Sequence, residues 1–145
     1  MWAQWTLATL ENPAFMTANG IQQVIYGDQD KIPVVPMICV EPSSKRRDIS
    51  GLPRKTVIDF EAYILIYHGG LQDTQLSRAQ CDLLAEAVEA RLHTFPACGG
   101  LVITSLVSNL ESGVANKGGN FIRATRLTWT ARSQVMLPLY DPANP

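Results

Sequence analysis

Two histidines, His68 and His93, are the chain's only imidazoles, and they limit what acid–base chemistry it can do. Glu89 and His93 stand four residues apart, a spacing that puts both on one helix face and could begin a metal site. No third Cys, His or acid follows at a ligand spacing, so the pair reads as a solvated i,i+4 contact in the last turn of a helix. Asp59 and Glu61 share one strand face, as paired carboxylates would, but they fit the exposed start of a strand better than an acid–base couple. Cys39, Cys81 and Cys98 are too far apart for a C-x-x-C motif and read as reduced, buried small hydrophobes. The glycine pairs at 69–70, 99–100 and 118–119 lack the residues of a phosphate loop and read as turns. Trp2, Trp5 and Trp129 are too scattered to form a base-stacking platform. The expectation is a protein that is not an enzyme, with no cofactor and no metal.

Charge is more informative than nucleophiles. The net charge is −1, yet Lys45, Arg46, Arg47, Arg54 and Lys55 crowd one short stretch, opposed there only by Asp48. Lys117, Arg123, Arg126 and Arg132 gather towards the C-terminus, whereas Asp82, Glu86 and Glu89 sit together in one expected helix. Separated patches on a near-neutral chain point to surfaces that meet a partner rather than to general polyanion binding.

Several elements must position these groups. Trp5, Leu7, Ala8 and Leu10 could begin a short N-terminal helix, interrupted at Asn12-Pro13 because proline lacks an N–H and restricts its predecessor. Ile21 to Tyr26 predicts a short strand, and the segment from Pro33 to Pro42 an edge strand. Residues 43–55 show no apolar periodicity and are expected to form a long exposed basic loop, or arm. Thr56 to His68 alternates with Ile58, Phe60, Ala62, Ile64 and Ile66 on one face, the signature of a strand. Gln75 to Phe95 carries the stripe Leu84, Val88, Leu92 and Phe95 of a long helix, with caps at Asp73 or Thr74, or at Ser77-x-x-Gln80. Leu101–Leu110 and Phe121–Ser133 predict two strands joined by a loop over residues 111–120.

At 145 residues the chain fits a single domain spanning 1–145, with a core over 20–133 and an extended tail over 138–145. A domain of this length buries roughly 68–70% of its unfolded surface, so no disulfide or metal is needed to fold it. The apolar N-terminus lacks a preceding positive charge and meets Glu11 early, which argues against a signal peptide. The expected class is α+β: a mostly antiparallel sheet, a long helix and a short N-terminal helix packed on one face, and the exposed arm.

From Val24 to Trp129 the chain resembles the tail-terminator and neck (head–tail connector) proteins of tailed bacteriophages. The likeness is carried by Ile25-Tyr26-Gly27-Asp28, Lys31-Ile32-Pro33-x-x-Pro36 and Cys39-Val40-Glu41-Pro42, then by Gly51-x-Pro53-Arg54. It continues through Phe60-Glu61-x-Tyr63-Ile64-Leu65-Ile66-Tyr67-His68, Leu84-Ala85-Glu86-Ala87-Val88-Glu89 and Gly99-Gly100-Leu101-Val102, and closes on Glu111-x-Gly113 and Arg123-x-x-Arg126-Leu127-Thr128-Trp129. The resemblance implies a virion structural protein, made in the host cytoplasm, that forms a hexameric ring at the neck. Such a ring ends the tail tube and joins tail to head. Its implied partners are other copies of itself, tail tube or sheath proteins, head-completion proteins and the genomic DNA in the lumen, with no membrane. Under it, the Lys45–Lys55 arm would touch a neighbouring subunit or line the lumen. Arg123, Arg126 and Arg132 would pair with Asp82, Glu86 or Glu89 of a neighbour. The alternative is a small α+β domain that binds a ligand or serves as a nucleic-acid adaptor through the basic stretch.

Overall fold

The computed structural model describes residues 2–49, 55–71 and 76–136. In chain order the elements are α1 (Trp2–Leu10), α2 (Pro13–Asn19), β1 (Gln23–Tyr26), β2 (Met37–Ile49), β3 (Lys55–Gly70), α3 (Arg78–His93), a 3-10 turn (Cys98–Gly100), β4 (Thr104–Lys117) and β5 (Asn120–Met136). The five strands form one sheet in the order β1-β2-β3-β5-β4. β1 runs parallel to β2, and every other pair is antiparallel.

This corrects the expected class. The sheet is mixed, and it carries three short helices instead of one long helix packed on a mostly antiparallel sheet. Local chemistry explains the helices. Asn12-Pro13 does not end helical structure but restarts it: Pro13 takes the first helical position, where its missing N–H costs nothing, and the Asn12 side chain accepts from Phe15 N at 3.0 Å. α3 begins at Ser77, whose hydroxyl accepts from Gln80 N while the Gln80 side chain accepts from Ser77 N, a complete capping box. The helix starts at Arg78 rather than at Gln75, and the caps considered at Asp73 and Thr74 lie outside the described residues.

The exposed loop expected at 43–55 is also corrected. β2 continues through Ile49 and pairs with β3 down to Ile49↔Thr56. Apolar periodicity is missing because this half of β2 projects beyond the helix-covered core, where exposed charge is tolerated. Residues 50–54, Arg54 among them, and the tail from 138 lie outside the described residues. Nor is the segment before Pro42 an edge strand, since Met37–Val40 are flanked by β1 and β3. The 111–120 loop shrinks to a turn: β4 and β5 pair as far as Lys117↔Asn120, and Gly118 and Gly119 take φ of +62° and +85°. Two consecutive positive φ values are what a tight hairpin turn matching the sheet's twist requires.

One face of the sheet holds the main core. Ile38, Val40, Ala62, Ile64, Ile66, Leu127 and Trp129 pack beneath α1 and α3, which contribute Trp2, Leu10, Ala85, Val88 and Leu92. Trp2 stacks on Phe60 at 5.7 Å and on Trp129 at 5.9 Å, so α1 belongs to the core although it precedes the 20–133 boundary. Trp129 is fully buried, and its indole N–H donates to Thr6 Oγ1 at 3.1 Å; Thr6 in turn donates to the Trp2 carbonyl at 2.9 Å. Arg91 joins α3 to α1 by donating from Nε to the Thr9 carbonyl at 3.1 Å. The opposite face carries a smaller cluster of Met37, Cys39, Tyr67 and Ile122, with Ile32 from the β1–β2 connection packed against it.

Candidate interaction surface

Register divides the sheet into two unlike ends. β3 spans sixteen residues, roughly 50 Å at strand rise. At its start, the far halves of β2 and β5 run alongside it past Thr104, where β4 begins opposite Arg132. Lys45, Arg46 and Arg47 stand exposed on this extension. They alternate between faces: Lys45 lies across from Phe60, Arg46 from Asp59 and Arg47 from Ile58. The Lys45 ammonium sits 5.6 Å from the Phe60 ring centroid, which directs it over the core-side face. Lys55 is the first residue of β3, at the same end.

Among the described residues, the outer edge of this part of β2 has no neighbouring strand, since β1 covers only Met37–Val40. Pro42, the register shift between Pro42 and Ser44, and the three cations all guard that edge against stray pairing. The opposite edge, β4, is guarded less. It exposes Leu106, Leu110 and Val114 and carries Glu111 and Lys117 as its only charges.

The other end of the sheet bares a group of apolar side chains beside the charged Lys117 and Asp28. Val34, Val35, Leu71, Val114 and Phe121 are all exposed there, with Leu71 at 43%, Val114 at 55% and Phe121 at 58%. Leu71 N donates to the Phe121 carbonyl at 3.1 Å, which ties this cluster together at the end of β3. Nothing in the sequence separated these residues from core residues, because apolar side chains at strand ends read as interior.

The remaining site residues divide into engaged and unengaged groups. Arg126 donates to Glu111 at 2.6 Å and stacks over Tyr63 at 4.7 Å. Arg132 holds Asp59 through two bonds of 2.8 and 3.2 Å, and that guanidinium keeps the Asp59 carboxyl below the usual carboxylate range. Both arginines therefore meet acids of their own chain, on the sheet face away from the helices. Arg123 lies on the helix-covered face, opposite Gly69 on β3 and Val114 on β4, and is half-buried. Asp82 and Glu86 are exposed on α3, with Glu89 half-buried beside them. None of the three forms an ion pair among the described residues.

Both histidines are engaged within the fold. His68 is buried, with Nε2 2.8 Å from Thr125 Oγ1, and burial lowers its pKa to about 4 against a small opposing effect of Asp82. His93 Nε2 accepts from Val107 N at 2.9 Å, fastening the end of α3 to β4. Glu89 does not join it in a metal site, and no cluster of three potential ligands occurs among the described residues. Cys39, Cys81 and Cys98 are all buried; burial, aided by the nearby Asp28 charge, pushes the Cys39 thiol up to about 12.

No family model matches the chain, and no curated protein matches it.

Proposed function

We propose that this chain is a structural ring subunit of a tailed-bacteriophage neck, which ends the tail tube and joins the tail to the head around a lumen for DNA. The observation that supports this most is the unlikeness of the two ends of one sheet. Lys45, Arg46 and Arg47 project at one end, and Val34, Val35, Leu71 and Phe121 are bared at the other. A closed ring is built from heterologous contacts, in which two different surfaces of each subunit meet. A subunit placed between tail and head also needs different surfaces above and below. The ordered resemblance from Val24 to Trp129 supports the same reading. In it, the apolar end seats on a neighbouring ring or tube, and the basic extension faces an adjacent subunit or the DNA. Charge at such contacts sets register and partner choice more than affinity.

Light scattering on the purified protein, over a concentration series and with isolated tail tubes added, tests this. A closed oligomer, alone or only on tail tubes, is the expected result. A strict monomer at every concentration that ignores tail tubes overturns it.

A further inference from the structure

An open cavity of about 320 Å³ lies between the first turns of α3 and the far ends of β3, β4 and β5. Its polar lining is His68, Arg78, Asp82, Ser112, Arg123 and Thr125, and Leu71 and Val114 stand on its rim. Among the described residues, Arg123 Nε is buried there without a hydrogen-bond partner, and no carboxylate lies within ion-pair distance of its guanidinium. Buried donors are nearly always satisfied, because an unsatisfied one forfeits its hydration without return. α3 itself adds a second anomaly. Its first turn holds no acid and opens with Arg78, the reverse of what the helix dipole favours, unless an anion sits nearby.

Among the described residues, the charges do not cancel internally. Two guanidinium groups face one carboxylate, Asp82, while His68 is held neutral by burial and engaged with Thr125 at 2.8 Å. The cavity thus carries a net positive charge in a concave, partly apolar setting, and a planar guanidinium pairs with an oxyanion through two parallel bonds. We infer that this cavity binds a single oxyanion, a carboxylate or a phosphate, gripped by Arg123 and steered by Arg78. The inference does not rest on the ring reading and concerns the free subunit, since Leu71 and Val114 on the rim belong to the apolar end that the ring reading seats on a neighbour.

The test is nuclear magnetic resonance on the full chain labelled with ¹⁵N-arginine, at constant ionic strength. Sodium phosphate and sodium acetate are titrated separately, and the Arg123 Nε–H signal is assigned by its loss in R123Q. The expected result is a saturable shift of that signal with at least one anion. The affinity should fall at least tenfold in R78Q, a change at an exposed residue that leaves the fold intact. R123K, which keeps the charge but loses the fork, should bind more weakly than the wild type, read from the Arg78 Nε–H signal. Saturation by phosphate alone identifies a phosphate-bearing ligand, and saturation by acetate alone a carboxylate. No saturation with either anion, or binding by R78Q and R123K as tight as the wild type's, overturns the inference.

Discussion

Lys117 Nζ lies 2.7 Å from Asp28 Oδ2, so the tip of the β4–β5 hairpin is clamped to the connection leaving β1. Tyr67 OH donates to the other Asp28 oxygen at 2.5 Å, and Gln29 N donates to that same oxygen at 2.9 Å. Burial alone would raise the Asp28 pKa. The bonds from Lys117, Tyr67 and Gln29 outweigh it and leave the carboxyl below its ordinary value.

Asp28 should therefore stabilise the fold at neutral pH. A carboxyl with a depressed folded pKa contributes fully above its unfolded pKa, and the contribution is lost as pH falls through the folded value. D28N should cost about 1 kcal/mol, because the pair is partly solvated. Urea melts at pH 7 and pH 3 check this: the wild-type advantage over D28N should be present at pH 7 and shrink at pH 3.

His68 gives a second acid-sensitive window, higher on the scale. Its folded pKa of about 4 lies below the ordinary histidine value of 6.5, so the unfolded chain takes up a proton that the folded chain refuses. Stability should be intact above pH 6.5, decline as pH falls towards 4 and level off below it, with a total on the order of 2–3 kcal/mol. The nearby Asp82 carboxylate softens this loss, and Arg78 and Arg123 on the same cavity do not. Melting temperatures of wild type and H68Q between pH 7 and 4 would show it. A slope identical in both proteins would remove His68 as the cause.

Thr6 serves both Trp129 and its own helix. T6V keeps the shape but leaves the Trp129 indole N–H buried without an acceptor, which should cost about 1–3 kcal/mol. Chemical denaturation measures the loss. If T6V melts like wild type, the indole finds another acceptor.

R46E combined with R47E should leave the melting temperature within a degree or two of wild type, because both side chains are exposed on a free strand edge. Under the proposed ring reading, joining of tails to heads should fail. Infectious particle yield from a complementation assay reads this directly, and normal yield would rule the basic extension out of assembly. DNA retention over a salt series separates lumen contact from protein contact, since phosphate binding weakens steeply with salt.

What was legible in the sequence follows from what is local. The alternation from Ile58 to Ile66 marks β3 because its two neighbours and the helices above it cover one face continuously. The stripe Leu84, Val88 and Leu92 marks α3 for the same reason. The far half of β2 was not legible: Lys45, Arg46 and Arg47 hold strand geometry through pairing with Phe60, Asp59 and Ile58 of β3, with no apolar alternation of their own. Gly113 suggested a loop, yet it pairs with Ala124 in mid-strand. The parallel β1–β2 pair also escaped, since its ten intervening residues held prolines and turn signals that fit a loop between any two strands. Of the site, the cations could be read as types, but the engagement of Arg126 by Glu111 and of Arg132 by Asp59 depends on register alone. The apolar end and the Arg123 cavity are products of packing that no spacing encodes.

β5 sits between β3 and β4, yet it is synthesised after both. As the chain leaves the ribosome, β3 and β4 wait without their shared partner, and α1 waits for Trp129 to arrive beneath it. Sheet closure is therefore a late event that joins the two ends of the domain at once, and contacts so far apart in sequence make folding slow. A chain cut before β5 would hold two long strands with open edges, and it would clump rather than persist as a smaller domain.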